Sequence, residues 1–442
     1  MHPEAPLPLP PETTATPRPL VGLDRISFSV PSHVLPLEAL AEVRGTPFRK
    51  YAVGLGQEQM AVPAPDEDII TLAANAGSQV LAGEDLSTIE AVILATESGI
   101  DQSKAGSIFV HHLLGLPSSC RAFEVKQACC SSTAALQMGL DAVTLRPGNK
   151  VLVIASDVAR YGLETAGEPT QGAGAVAMLV SAKPRLIAID ADSGSYTEDV
   201  NDFWRPNYLD TAIVDGKFSI RVYLRAMMES VANYRQKTGR SLRSFDRFCY
   251  HLPFTRMGEK AHHHLWQHSE EETPDEAITQ IQPGTVYNRR VGNTYTASLH
   301  LCLLSLLEND PADLTDARIG LFSYGSGCMG TFFTGRVQAG YRDALLTDLH
   351  REQLDRRTPI DMARYEAWYT QKLPEDGQAF ETAAATTGTF RLAGVNGHAR
   401  IYERNERHQG GLTDGAAEAD LRENAAEAAA EPVVEHSPLA KV

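Results

Sequence analysis

The chain reads as a layered α/β protein made of two similar halves, and three observations carry that reading. Apolar β-branched runs alternate with longer runs of helical period from about residue 21 to residue 404. The length of 442 residues, 43% of them hydrophobic, exceeds one average domain and allows a large core. A pattern also recurs. Residues 128–136 (Ala-Cys-Cys-Ser-Ser-Thr-Ala-Ala-Leu) lead to a strand and then Gly172-Ala-Gly174, while residues 292–299 (Gly-Asn-Thr-Tyr-Thr-Ala-Ser-Leu) lead to a strand and then Gly325-Ser-Gly327. In each half a turn of small and polar residues opens a helix and a Gly-x-Gly turn joins two strands, so duplicated halves facing one cleft are expected.

Taken in order, prolines crowd the segment from Pro3 to Pro19, which makes residues 1–20 a disordered leader. Short apolar runs at 91–96, 150–155 and 175–180 predict buried strands in a first half spanning 21–185, with a helix over 133–145. The second half, 186–407, carries a helix over 298–307 and strands over 319–324 and 331–337. In the last segment, 408–442, seven acidic residues between Asp414 and Glu435 meet only Arg422 and Lys441. Few large apolar side chains accompany them, so a disordered acidic Ala/Glu-rich tail is expected.

Composition excludes several classes. No run of eighteen uncharged apolar residues exists, and the start lacks both a basic segment and an apolar signal core, so no membrane partner is indicated and a cytoplasmic protein is expected. Six Cys in so long a chain, with Cys129 and Cys130 adjacent, fit free thiols in a reducing compartment. A net charge of −16 argues against a nucleic-acid partner. A small anion needs only two or three local cations. The stretch Gly325-Ser-Gly-Cys-Met-Gly330 matches a dinucleotide-binding pattern, but a strand-like run follows it where a helix is required. The run His262-His263-His264 and the pair His111-His112 lack carboxylate or Cys partners at ligand spacing, so no metal site is expected.

Three segments carry chemistry. In 124–136 (Glu-Val-Lys-Gln-Ala-Cys-Cys-Ser-Ser-Thr-Ala-Ala-Leu), a Cys at the first turn of a helix would receive backbone N–H groups and the positive dipole end, favouring a nucleophilic thiolate. Free Cys is also often a small buried hydrophobe, and spacing alone leaves both readings open. Successive helical positions point about 100° apart, so at most one of Cys129 and Cys130 faces a cleft. In 95–105, Glu97 follows an apolar strand among small residues, where burial raises a carboxyl pKa for proton transfer; a loop Glu in water is the alternative. In 248–261, His251 leaves a strand-like run before Pro253, with Arg256 and Lys260 beside or along a following helix. That imidazole could polarise a carbonyl and the cations could meet phosphates, or the His could be a satisfied structural one.

In this order the three segments resemble the hydroxymethylglutaryl-CoA synthase family of the thiolase superfamily. Further matching motifs lie at 50–57, 157–161, 167–176, 202–206, 214–219, 292–298 and 323–327. The resemblance spans about 21–403 and implies a thiolase-like fold of two topologically similar halves in a layered αβαβα arrangement, usually dimeric. It implies acetyl-CoA and acetoacetyl-CoA as substrates, with no cofactor. By motif position Cys129 matches the acyl-accepting Cys, Glu97 the general acid/base, and His251 the residue that positions and polarises the acetoacetyl group. Asn293 and Ser326 match acyl-site residues, Tyr161 and Phe203 its lining, Thr170 and Ser219 further substrate-binding positions, and Lys260 a CoA-contacting Lys. Arg256 stands where Lys is common and keeps a fixed charge for phosphate. Cys130 departs from the Tyr usual there, which bears on packing beside the nucleophile.

The implied chemistry is acetyl transfer to Cys129, carbanion formation by Glu97, addition to acetoacetyl-CoA and hydrolysis of the Cys129 thioester. In that scheme Glu97 serves carbon–carbon bond formation and not the initial attack, and the backbone N–H groups of Cys129 and Ser326 are the oxyanion-hole candidates. An acetoacetyl group carried on acyl carrier protein, as in polyketide β-branching, is the close alternative. A non-catalytic binding protein that keeps the fold is the alternative of another class.

Overall fold

The computed structural model describes residues 19–405, so the acidic tail and all but the last two residues of the leader lie outside the described residues. Nine strands form one sheet. In chain order they are β1 (Val21–Ser29), β2 (Ile89–Ala95), β3 (Arg121–Val125), β4 (Lys150–Val158), β5 (Ala173–Ala182), β6 (Ile187–Thr197), β7 (Arg247–Tyr250), β8 (Arg318–Gly325) and β9 (Met329–Val337). Their spatial order is β7-β8-β9-β6-β1-β5-β4-β2-β3.

The expected duplication is visible in this order. From β1 outward, β1–β5 and β5–β4 are antiparallel, and β4–β2 and β2–β3 are parallel. From β6 outward, β6–β9 and β9–β8 are antiparallel and β8–β7 is parallel. The halves meet where Gly22 and Leu23 of β1 pair with Ala188 and Ile187 of β6.

Strand periodicity explains why the first-half strands read as unbroken apolar runs. Ile93, Ala95, Val153 and Ala155 pack on one side with Ala135, Leu136 and Val143 of helix α2 (Ser131–Leu145). Val92, Leu94, Leu152 and Ile154 pack on the other with helix α1 (Ile69–Leu81). A strand covered on both faces has no solvent side to make polar. Helix α1 starts at a reciprocal cap: Asp68 accepts from the N–H of Ile70 and Thr71 at 2.9 and 3.1 Å, while the Asp68 N–H donates to Thr71 Oγ1 at 2.9 Å. In the second half, helix α3 (Gly216–Thr238) is capped by Asp215 and ends at Gly239, whose φ of 68° suits glycine. Helices α4 (Arg256–His268) and α5 (Ser298–Asn309) complete the parts that frame the site.

Helices α2 and α5 are linked where Ser132 Oγ donates to Thr296 O, just ahead of α5, at 2.6 Å and lies 3.0 Å from His300 Nε2. A second internal tie fastens helix α6 (Thr347–Asp355): His350 lies 2.7 Å from Ser27 Oγ and 2.7 Å from Glu308 Oε1, with both His350 and Glu308 side chains at 0% exposure. No helix among the described residues is long and apolar enough to cross a membrane.

Candidate active site

Helix α2 begins at Ser131 with Cys130 as its N-cap, so Cys129 stands just ahead of the helix and not in its first turn. Ala128 turns the chain with φ 43°, and the N–H groups of Cys130 and Ser131 donate to Gln127 O and Ala128 O at 3.0 and 3.2 Å. Gly325 of β8 presses on this turn. A Cβ there would fall 2.4 Å from Gln127 O and 2.8 Å from Cys130 Cβ, so only glycine admits the approach. Cys130 is fully buried and directed away, accepting from Ser323 Oγ at 3.4 Å. Cys129 is the member of the pair that faces the reacting groups.

That group is Glu97, placed at the end of β2. The Cys129 thiol donates to Glu97 Oε1 at 2.9 Å, across 32 residues of sequence. Asp157, at the end of β4, braces the arrangement: its Oδ1 accepts from Thr96 Oγ1 at 2.8 Å and from the N–H of Glu97 and Ser98 at 2.9 and 3.0 Å. Its other oxygen accepts from Thr296 N at 3.0 Å, tying the second half to the first. From outside, Arg205 Nη2 donates to Glu97 O at 2.8 Å.

Burial, with the Asp157 charge, pushes the Glu97 carboxyl up to about 8; the Cys129 hydrogen bond and Arg205 oppose it. Burial and the facing Glu97 push the Cys129 thiol well above its ordinary range. The expectation of a resting thiolate is therefore corrected. The N–H groups that open α2 are spent within its turn, and desolvation beside a carboxyl outweighs the helix dipole. The resting pair holds its proton.

Aromatic rings wall the thiol. Tyr161, Phe203 and Tyr295 stand with each pair of ring centroids 5.9 Å apart, packed with Cys129 and Ala159. Asn293 Nδ2 donates to Tyr161 Oη at 2.7 Å and Asn293 Oδ1 accepts from Tyr295 N at 2.9 Å. The predicted residues Tyr161, Phe203 and Asn293 are thus brought together around Cys129.

His251 follows β7, anchored through its backbone: its N–H donates to Phe322 O and its O accepts from Tyr223 Oη, both at 2.8 Å. Its ring is 2% exposed, and Nδ1 has no hydrogen-bond partner among the described residues. Burial lowers its pKa to about 3, so the imidazole is neutral and can donate or accept without carrying charge. Ser326 lies half-buried in the turn between β8 and β9.

The remaining predicted residues stand further out. Ser219 Oγ donates to Asp202 Oδ2 at 3.0 Å, and Asp202 also accepts from Tyr324 Oη and Gly327 N at 2.6 and 2.9 Å, so Ser219 steadies the Ser326 turn. Thr170 Oγ1 donates to Gly167 O at 2.7 Å, and its carbonyl accepts from Asn293 N at 3.0 Å. Arg256 pairs with Glu259 at 3.0 Å, and Lys260 is exposed with its ammonium 4.9 Å from the Phe254 ring. The histidine run divides: His262 is a core residue, 2.9 Å from Tyr250 Oη. Asp157, Tyr295 and Arg205 went unassigned from sequence. An acid closing the apolar run of β4 is a usable signal for Asp157, whereas nothing local marks Arg205 as a contact of Glu97.

Comparison with known proteins agrees with this geometry. The family model described as hydroxymethylglutaryl-coenzyme A synthase N terminal matches residues 17–185, and its C-terminal counterpart matches 187–280 and 268–375. The chain is 43% identical over 383 residues to hydroxymethylglutaryl-CoA synthase of Enterococcus faecalis, covering 86% of this chain and 99% of that one. It is 36% identical over 333 residues to the polyketide biosynthesis 3-hydroxy-3-methylglutaryl-ACP synthase PksG of Bacillus subtilis, covering 70% and 78%. Among solved structures it matches an HMG-CoA synthase complexed with CoA at TM-score 0.84 and 38% identity, covering 87% of this chain and 100% of that one. The HMG synthase of the curacin biosynthetic pathway in complex with holo donor-ACP matches at TM-score 0.81 and 33% identity, with coverage of 87% and 100%. With its duplicated thiolase-like halves and these relatives, the chain belongs to the hydroxymethylglutaryl-CoA synthase family.

Proposed function

We propose that the protein condenses acetyl-CoA with acetoacetyl-CoA and water to give 3-hydroxy-3-methylglutaryl-CoA and CoA through an acetyl thioester on Cys129. The observation that carries this reading is the Cys129–Glu97 contact of 2.9 Å inside an aromatic pocket, in a chain 43% identical to an HMG-CoA synthase. Cys129 attacks the acetyl carbonyl as Glu97 accepts the thiol proton, and that proton leaves on the CoA thiolate. This contact gives Glu97 a part in loading that the motif alone did not suggest. Glu97 then takes a methyl proton from the acetyl thioester. The carbanion adds to the ketone carbon of the acetoacetyl group, whose oxygen is polarised by His251. Water finally cleaves the Cys129 thioester. The N–H groups of Cys129 and Ser326 serve as oxyanion donors, each worth roughly 3 kcal/mol in the transition state.

Free CoA is the carrier favoured here, since Arg256 and the exposed Lys260 offer cations beyond His251 for a phosphate-bearing arm. Acyl carrier protein is the second reading, favoured by the likeness to the curacin enzyme. Turnover of free acetoacetyl-CoA with a KM in the micromolar to millimolar range supports the first; product only from the carrier-protein thioester replaces it with the second. The exposed edge strand β3, with Phe123 at 47% exposure, supports a homodimer. Six free thiols support a reducing, cytoplasmic setting.

A further inference from the structure

Hydrolysis of the condensed intermediate poses a steric problem. On the reading above, the chain of atoms from Cys129 to the carrier fills the acyl site at that step, so the water that ends the cycle must arrive from another side. The structure holds a cleft of about 300 Å³ that meets this need. It lies beyond the ends of β2 and β4, lined by Ser98, Ala159, Arg160, Arg205, Tyr369 and Leu373 among others. None of the acyl-site residues Tyr161, Phe203, Asn293 or Ser326 lines it, nor do Thr170 or Ser219. It comes close to the reacting pair: Ala159 packs on Cys129 and also faces the cleft, and Ser98, which lines it, follows Glu97 directly.

We infer that this cleft is the water route for thioester hydrolysis, entering behind Glu97 while the carrier arm occupies the acyl site. The lining suits that task. Arg205 sits on the Glu97 carbonyl at 2.8 Å, and the Arg160 guanidinium lies 4.1 Å from the Tyr369 ring, so two cations line the cleft and keep it polar enough to admit water. The step balances. Water oxygen bonds to the thioester carbon, the carbon–sulfur bond breaks, and one water proton passes through Glu97 to the Cys129 sulfur. The other proton leaves to solvent as the new carboxyl ionises.

The test exploits two hydrolyses that differ only in whether the acyl site is full. Acetyl-Cys129 without second substrate has a vacant acyl site, and its water can enter there. The condensed thioester has no such path. Narrowing the cleft mouth with Leu373→Trp should slow hydrolysis of the condensed thioester about tenfold or more, so that it accumulates on Cys129 in intact-mass spectra of quenched turnover. Acetyl loading and acetyl-enzyme hydrolysis should stay within about twofold of the native rates, and Leu373→Ala should show no accumulation. Gln371→Trp, at the same mouth, replaces Leu373→Trp if that variant fails to load acetyl. A loading-competent Trp variant with no accumulation, or one that slows both hydrolyses equally, overturns the water route. Failure of the native chain to load acetyl would instead sink the proposed function.

Discussion

Replacing Glu97 with Gln should trade activity for stability, because the same desolvation that tunes the carboxyl also costs the fold. Glu97 is raised from 4.5 to about 8. A carboxyl that stays protonated in the fold but ionises in the unfolded chain contributes stability that is full below about 4.5 and is lost as pH rises through about 8. At pH 7 the gap corresponds to about 3 kcal/mol, and partial exposure of the side chain screens this to about 1–2 kcal/mol. Gln has the same shape and no titration, so Glu97→Gln should raise Tm at pH 7 by roughly 1–2 °C and flatten its decline between pH 5 and 8. Activity should move the other way. Condensation should fall by about two to four orders of magnitude, and acetyl loading by about tenfold, since loading loses only the acceptor of the thiol proton. In the native protein loading should rise with pH towards a plateau above about 8. Thermal melts across pH, acetyl loading by intact mass and product by chromatography, all on one preparation, measure each arm. A lower Tm for the variant would refute the desolvation account. Equal losses of loading and condensation in a folded variant would refute carbanion formation by Glu97.

Acetyl label from acetyl-CoA should map to Cys129 alone: Cys129→Ala removes it and Cys130→Ala keeps it, and a labelled peptide centred on Cys130 would reverse the assignment. His251→Ala should raise the KM for acetoacetyl-CoA and lower kcat while leaving acetyl loading intact. Because the pKa of His251 is held at about 3, the native and variant proteins should show the same shape of pH profile between pH 5 and 8. A histidine-dependent inflection in that window would mean the ring is charged during turnover. His350→Ala removes one hydrogen bond to the buried Glu308 carboxyl, which keeps that from Tyr287 Oη, and should cost about 1–3 kcal/mol in denaturant unfolding, with acetyl loading retained below the transition. A loss of loading in folded His350→Ala would place that network in the chemistry.

Much of the scaffold was legible in the chain because its signal is local. Runs such as 151–155 and 175–180 are apolar at every position, as strands covered on both faces must be, and they appear within β4 and β5. Strands β1 and β6 escaped notice although they form the seam between the halves, for their pairing of Gly22 and Leu23 with Ala188 and Ile187 joins segments far apart in sequence. Short segments made Glu97, Cys129 and His251 candidates but left a structural reading open for each, and the ordered motifs of the family resemblance assigned their roles. The start of α2 was misjudged by a step, because Ala128 and the approach of Gly325 decide where the turn ends and the helix begins. Charge state was misjudged for the same physical reason. A thiol at a helix start favours ionisation when water and free N–H groups surround it; folding removes the water and brings Glu97 to within 2.9 Å. The sequence determined which groups were available to react. Only the tertiary structure, by setting burial and long-range contacts such as the Asp157 brace, decided which of them touch and where their protons rest.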